Sequence, residues 1–306
     1  MGGPNDGYSN VRIPNEMLLP ANGNDIATIV DSIFPLFKEG GCQQQYISNR
    51  AILAPTLDVV NAINEYMTDT LDVVNAINEY MTDLHVAESK INEYMTDLHV
   101  AESKTYLSCD TVCKADSGNY LSCDTVCKAD SGNGILADMH TPEFLNGLKA
   151  SDILNHALIL KVRSLVMLLR NIDHSMGLCN GTRLIITRLS DHVVEAKIVS
   201  GNNAGQIVLI PRMSMTPTDT RLPFKFQRRQ FPLMLSYAMT INKSQGQTLT
   251  HVGLLLRKPV FVHGQLYVAA SRISNPKGLR LLIANEGTKS INYTTNVVYH
   301  EVFNNL

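Results

Sequence analysis

"LMLSYAMTINKSQGQTL", residues 233–249, starts as an apolar strand and changes character in one step. After Ile241 the chain runs Asn242-Lys243-Ser244-Gln245-Gly246-Gln247-Thr248, six polar residues and a glycine. In α/β proteins, loops at strand ends present side chains and free backbone N–H groups to a crevice where ligands sit. The stretch therefore predicts a strand that ends in a binding loop, and a ligand that is anionic or polymeric.

The sequence on either side supports a parallel sheet. PLMLSYAMT (232–240) is followed by VGLLLR (252–257), then by the helical VHGQLYVAASRI (262–273), then by GLRLLIA (278–284). Strand–loop–strand–helix–strand alternation is the mark of an α/β unit. Upstream the text is richer in short strands. ALILKV (157–162) and LVMLL (165–169) read as paired strands around Arg163-Ser164. TRLIITRL (182–189), VVEAKIV (193–199) and QIVLIPRM (206–213) read as three more, with turns at Ser190-Asp191-His192 and at 201–205. Short strands with such turns predict a small antiparallel sheet or barrel.

Charge is distributed unevenly. Residues 1–150 hold 8 Lys and Arg against 21 Asp and Glu, whereas 151–306 hold 18 against 7. A basic half is the footprint of a polyanion binder, although a solvated surface produces the same count. No run of apolar residues is long enough to span a membrane. The first residues lack the charged and apolar regions of a signal peptide, and Asp6 stands where a myristoylation site needs Ser or Thr. Six cysteines without a secretory signal suggest reduced thiols and an intracellular protein.

The acidic half contains letter-perfect duplications. TLDVVNAINEYMTD fills 56–69 and 70–83, INEYMTDLHVAESK fills 77–90 and 91–104, and YLSCDTVCKADSGN fills 106–119 and 120–133. Solenoid repeats drift and have longer periods, so these read as recent duplications or gene-model errors inside an ordinary domain. Leu57, Val60, Ile63 and Met67 form a helical stripe after Pro55, with Thr56 as N-cap. Leu71, Val74, Ile77 and Met81 repeat it, which predicts an overlong helix whose added turns have no core to bury against. Duplication also yields Cys109, Cys113, Cys123 and Cys127. Structural zinc usually uses C-x2-C knuckles; the spacing here differs, and no zinc or other metal site is expected.

"RRQFPLMLSYAMTINKSQGQTL" (228–249) and "VHGQLYVAASRI" resemble the last two motifs of superfamily-one DNA helicases, specifically the PIF (petite integration frequency) family with its plant and Helitron-transposon relatives. "LKVRSLVMLLRNIDHSMGLCNGTRL" (160–184) resembles that family's inserted 2B domain. "GGPNDGYSNVRIP" and "NRAILAPTLDVVNAIN" resemble the start of its second motor domain. The resemblance implies an α/β, RecA-like parallel-sheet second motor domain of the P-loop NTPase type, with a small antiparallel, SH3-like 2B insertion. The expected boundaries are 1–140 for the first part of domain 2A, 141–190 for the insertion and 191–306 for the rest of 2A.

In such motors two lobes clamp ATP, and the second lobe offers a cation to the γ-phosphate. By resemblance Arg272 is the candidate arginine finger, because a guanidinium stays charged and forks onto phosphate oxygens. Gln265 and Arg50 are candidate nucleotide contacts, and Gly246 lets the backbone approach a ligand or take a positive φ. Thr240, Lys243, Ser244 and Gln245 are the candidates for gripping strand phosphates, since such donors hold backbone without reading sequence. Lys161, Arg170 and Arg183 are weaker candidates for following a nucleic-acid backbone. The alternative of a guanine-recognising N-K-x-D within INKSQG fails for want of the Asp.

Relatives usually show Gly and Pro where this chain has Arg163 and Leu165, and Pro where it has Leu154. No G-x4-G-K-[ST] occurs in the sequence. The P-loop and the magnesium-binding Asp therefore belong to a first lobe that this chain is expected to lack. The expected cofactors, ATP and Mg2+, would bind the complete enzyme and not this chain tightly by itself. Single-stranded DNA and the P-loop lobe are the expected partners, with nucleus or mitochondrion, and roles in repair, recombination and telomere maintenance, implied by resemblance. Two other readings stay open: a non-enzymatic single-strand-binding remnant of a Helitron-type transposon, and an inert translation product that folds poorly.

Overall fold

The computed structural model describes residues 8–21, 23–39, 44–71, 103–107, 109–112, 156–215, 226–284 and 292–298. In chain order the elements begin with β1 (Tyr8–Arg12), α1 (Asp25–Ile33), α2 (Gln44–Ser48), β2 (Arg50–Ala54) and a helix α3 over 57–71. There follow β3 (Ser103–Leu107), β4 (Cys109–Val112), β5 (Ala157–Lys161), β6 (Leu165–Leu168), β7 (Arg183–Leu189), β8 (Val193–Ile198) and β9 (Ile207–Pro211). The last are β10 (Met213–Met215), β11 (Phe226–Gln230), β12 (Leu233–Leu235), β13 (Ala238–Thr240), β14 (His251–Leu256), α4 (Gln265–Ala270), β15 (Leu279–Ile283) and β16 (Tyr293–Val297). They fall into two compact units, 1–100 with 235–306, and 101–234.

The first unit is built on a four-stranded sheet of order β13-β2-β14-β15. All three pairings are parallel, with Ala238 opposite Ile52, His251 opposite Arg50 and Val252 opposite Leu279. Residues 51–54 and 252–256 are buried without alternation, as strands covered on both faces must be. Helix α1 packs on β14 and β15 through Ile29, Val30 and Ile33, all at most 1% exposed. That contact requires Gly253: a Cβ there would lie 2.7 Å from Ile33 and 2.9 Å from Ile29. In α3, Val60, Ile63 and Met67 are buried as the stripe predicts, Leu57 is half-buried, and Val59 and Leu71 join them. The repeated stripe beyond Leu71 lies outside the described residues, as do Leu154, Cys113, Cys123 and Cys127. An antiparallel ribbon, β1 with β16, completes the unit. A parallel sheet with helices packed on it is the architecture that the motifs imply for this part of the chain.

The second unit is antiparallel. A five-stranded sheet has the order β12-β6-β7-β8-β9, and smaller sheets join β10-β11-β4 and β3-β5. Burial alternates strictly along β8 and β9, the pattern of strands with one covered face. One detail departs from the sequence reading. Residues 157–161 and 165–168 do not pair with each other, because β5 pairs with β3 while β6 lies between β7 and β12. The described part of the expected insertion of 141–190 lies within the unit 101–234, where β7 and β8 pair across position 190. Lys161 and Arg183, expected on a solvated or strand-following face, are 5% and 3% exposed. Burial pushes the Arg183 guanidinium down to about 10.

The turn between β5 and β6 carries the one non-glycine residue with positive φ among those described, Arg163 at 71°. Its N–H donates to Ile186 O at 2.8 Å, which holds the backbone in that conformation, and its side chain is exposed. A left-handed conformation is unfavourable for any residue with a Cβ. Arg163→Gly is therefore expected to stabilise the chain by about 1 kcal/mol, read as a higher urea midpoint at unchanged m-value; an unchanged or lower midpoint would show the turn to be unstrained.

Candidate functional site

Strand β13 ends at Thr240, and residues Ile241–Ser244 form a 3-10 turn directly after it. Because β13, β2, β14 and β15 run parallel, Thr240 shares the carboxyl edge of the sheet with Ala54, Leu256 and Ile283. Thr240 and Lys243 are half-exposed, Gln245 is exposed, and Gly246 takes a φ of +81° with open space where a Cβ would stand. Among the described residues Lys243 has no ion-pair partner. Ser244 behaves differently: it is fully buried, and its hydroxyl donates to Ile241 O at 2.6 Å. Its role in the structure is to close the 3-10 turn that presents its neighbours.

From Gly246 the chain returns to the amino edge of the sheet, where β14 starts at His251, and it is laced there on two sides. Thr250 and His251 N–H groups and the Thr250 hydroxyl all donate to Asn49 O, at 2.9, 3.2 and 3.1 Å. Leu249 N–H donates to Arg272 O at 2.8 Å, and Ser274 N–H returns a bond to Leu249 O at 2.9 Å. The Arg272 side chain, half-buried, donates from Nε to Val268 O at 3.0 Å, from one terminal nitrogen to Gln247 O at 3.4 Å, and from the other to Ser271 Oγ at 2.9 Å. The guanidinium is thus braced against the loop that follows Thr240, and not enclosed in the core. A guanidinium carries five N–H donors, so this bracing leaves others available to a phosphate.

Arg50 sits at the same amino edge, opposite His251. Its guanidinium donates to Ile33 O at 2.7 Å and lies 4.2 Å over the Tyr46 ring. Burial, with the charges of Arg50 and Arg280, holds the His251 imidazole below its usual range. The structure therefore brings Arg50 and Arg272 to one edge, through Asn49 and residues 249–251, and leaves Thr240 and Lys243 at the other. Gln265 is 2% exposed, and its Oε1 accepts from Phe261 N–H at 3.2 Å. It shapes the approach to α4 from within.

The sequence reading missed Asn64. It lies in the apolar stripe of α3, is 4% exposed, and binds the chain on both sides of Tyr237. Its Nδ2 donates to Leu235 O at 3.2 Å and Ala238 O at 3.0 Å, and its Oδ1 accepts from Ala238 N–H at 2.8 Å. Between these anchors the buried Tyr237 ring packs edge-on against Phe34 and Phe37, at 6.3 and 5.4 Å between centroids. The signal available was a polar residue beside Ile63, on the face that should be apolar.

Residues 143–189 match the model of the DNA helicase Pif1 2B domain. Over these residues the chain is similar to the Pif1 2B domain. The human ATP-dependent DNA helicase PIF1 is 35% identical over 144 residues, 46% of this chain and 22% of that protein. The ATP-dependent DNA helicase Pif1 of Bdellovibrio bacteriovorus is 36% identical over 136 residues, 44% of this chain and 29% of that one. The matched region thus spans only a fifth to a third of these PIF-family proteins. Among solved structures, Bacteroides Pif1 bound to ssDNA aligns at a TM-score of 0.43 and 20% identity, covering 79% of this chain and 41% of that one. Pif1 helicase from Candida albicans aligns at 0.43 and 21%, covering 83% and 52%.

Two outcomes follow for this loop. Asn64→Leu keeps the volume but strands the Ala238 N–H and two carbonyls; a loss of roughly 2–4 kcal/mol is expected by urea denaturation, and a loss near zero would show that Asn64 does not hold the strand. A His251 that resists protonation when folded makes the unfolded chain bind more protons as pH drops. Stability should therefore be intact above about pH 6.5 and decline as pH falls below it, with a shallower decline in His251→Gln.

Proposed function

We propose that this chain acts as the second motor lobe of an ATP-dependent DNA helicase, in which Arg272 meets the γ-phosphate of ATP held by a separate P-loop lobe. The observation that carries the reading is the bond from Arg272 to Gln247 O. It makes the phosphate-directed cation and the loop bearing Thr240, Lys243, Gln245 and Gly246 one hydrogen-bonded unit. A motor needs such a join, so that a change at the triphosphate reaches the group that holds the strand. The relatives named as ATP-dependent DNA helicases point the same way.

In this scheme single-stranded DNA lies along the carboxyl edge, held through its phosphates by Lys243 and by amide and hydroxyl donors that ignore sequence. Arg272 and Arg50, at the amino edge, suit the phosphates of ATP by charge and by forked geometry. Among the described residues no group of three or more His, Cys, Asp or Glu side chains converges. Any Mg2+ would be held by ATP and the other lobe. Ser271, which accepts from Arg272 and donates to Val268 O at 3.1 Å, positions the guanidinium.

A second reading, a strand-binding module without ATP turnover, is favoured by one observation. Arg163, which carries a Cβ, is held at positive φ, a strain of the kind expected of a sequence under relaxed selection. One experiment separates the two readings. The full chain is mixed with a P-loop lobe of a PIF-family helicase, and DNA-stimulated ATP hydrolysis is followed. Hydrolysis that depends on both components and falls about 10³-fold or more in Arg272→Ala is the expected result. Salt-sensitive binding of single-stranded DNA, weakened in Lys243→Ala but with no hydrolysis under any mixture, would assign the second reading instead.

A further inference from the structure

A crevice of about 340 Å³ opens at the carboxyl edge of the parallel sheet. Its walls are Leu256 and Ile283, the last residues of β14 and β15, with Pro259, and the polar residues Asn10, Tyr293, Thr294 and Thr295 of the β1–β16 ribbon. We propose that this crevice receives one nucleobase of the bound single strand. The proposal rests on the reading above, and adds to it a subsite that holds a base in place of phosphate.

Four features carry it. The first is location: open α/β sheets place ligands in the crevice outside the carboxyl ends of their strands, and β13, which ends in Thr240, shares that edge. In the order β13-β2-β14-β15 the crevice lies two to three strand spacings from Thr240, roughly 10–14 Å, which one or two extended nucleotides can bridge. The second is charge. Every lining residue is uncharged, which suits a neutral heterocycle and not a phosphate or carboxylate. Two cations adjoin the lining in sequence: Arg257 and Lys258 immediately precede the lining Pro259, Arg257 lying 3.8 Å from Asp25. Phosphates flanking a seated base would meet them.

The third feature is unspent hydrogen-bonding capacity. Asn10 and Thr295 form one rung of the ribbon. Among the described residues the side chains of Asn10, Thr294 and Thr295 bond to no protein group. The neighbouring Asn296 Oδ1 is buried without a partner. An amide with a free donor and a free acceptor can pair with the edge of a base, and the two hydroxyls donate or accept as required. The fourth is a ring. Tyr293 is 47% exposed at the mouth, and with Leu256 and Ile283 it offers the apolar and aromatic faces on which bases stack without regard to identity.

The test uses the full chain and short fluorescent oligodeoxythymidylates in which single positions are made abasic in turn. One position is expected to stand out, its loss weakening binding about tenfold. In Asn10→Ala/Thr295→Val that positional dependence should vanish while the salt dependence of binding is kept. Because a ribbon variant can unfold, the wild-type chain is also irradiated with 5-iodouracil at each position, and a cross-link to Tyr293 from the same position is expected. Tight binding with a flat abasic scan and no Tyr293 cross-link would overturn the subsite and leave the motor-lobe reading intact. No binding of any oligonucleotide would overturn both. Free thymidine protecting Tyr293 when no oligonucleotide does so would assign the crevice to a mononucleotide and overturn the strand-base proposal.

Discussion

The backbone between Thr240 and His251 has to cross from the carboxyl edge of a parallel sheet to its amino edge, and every polar group it buries on the way needs a partner. Much of the architecture of the first unit answers that requirement. The start of β13 is held by the Asn64 amide, the 3-10 turn is closed by the Ser244 hydroxyl, and the far end is tied by Asn49 O and by the Arg272 and Ser274 backbone. An unpaired buried backbone group costs about 1–3 kcal/mol, so four or five such ties decide between an ordered loop and a slack one.

A loop held this way turns two separate edges into one object. The cations Arg50 and Arg272 stand on the amino side, and the exposed donors around Lys243 stand on the carboxyl side. The Gln247 carbonyl, midway, accepts from the Arg272 guanidinium. If phosphate draws that guanidinium away, the carbonyl loses its donor and the loop loses a tie. This gives a physical content to coupling that requires no long pathway: the same side chain would serve both sites.

The Asn64 clamp also bears on the duplications. The segment that supplies it, 56–69, is repeated letter for letter at 70–83, so the chain carries a second asparagine in the same context at position 78. Asn64 is the copy that lies next to β2 in sequence, separated from Ala54 by only the Pro55-Thr56 turn and one stretch of helix. Short connections close at low entropic cost, and Asn64 lies one such connection from β2.

How the elements would be built was legible in the residues themselves. Continuous apolar runs at 51–54 and 252–256, strict alternation at 193–198, and a stripe at 60, 63 and 67 are local patterns, and local periodicity determines burial within one element. The motifs also drew attention to Arg272 and to the loop from Thr240 to Gly246, which a bond from Arg272 to Gln247 O joins. Partnership was not legible. That β5 pairs with β3 and not with β6, that Ser244 and Gln265 turn inward, that Asn64 reaches Ala238 across 174 positions, and that Asn10 meets Thr295 are contacts between distant segments. No local pattern encodes them, because a hydrogen-bonding side chain has the same composition whether it faces solvent, a strand or a ligand, and only the packed chain decides which.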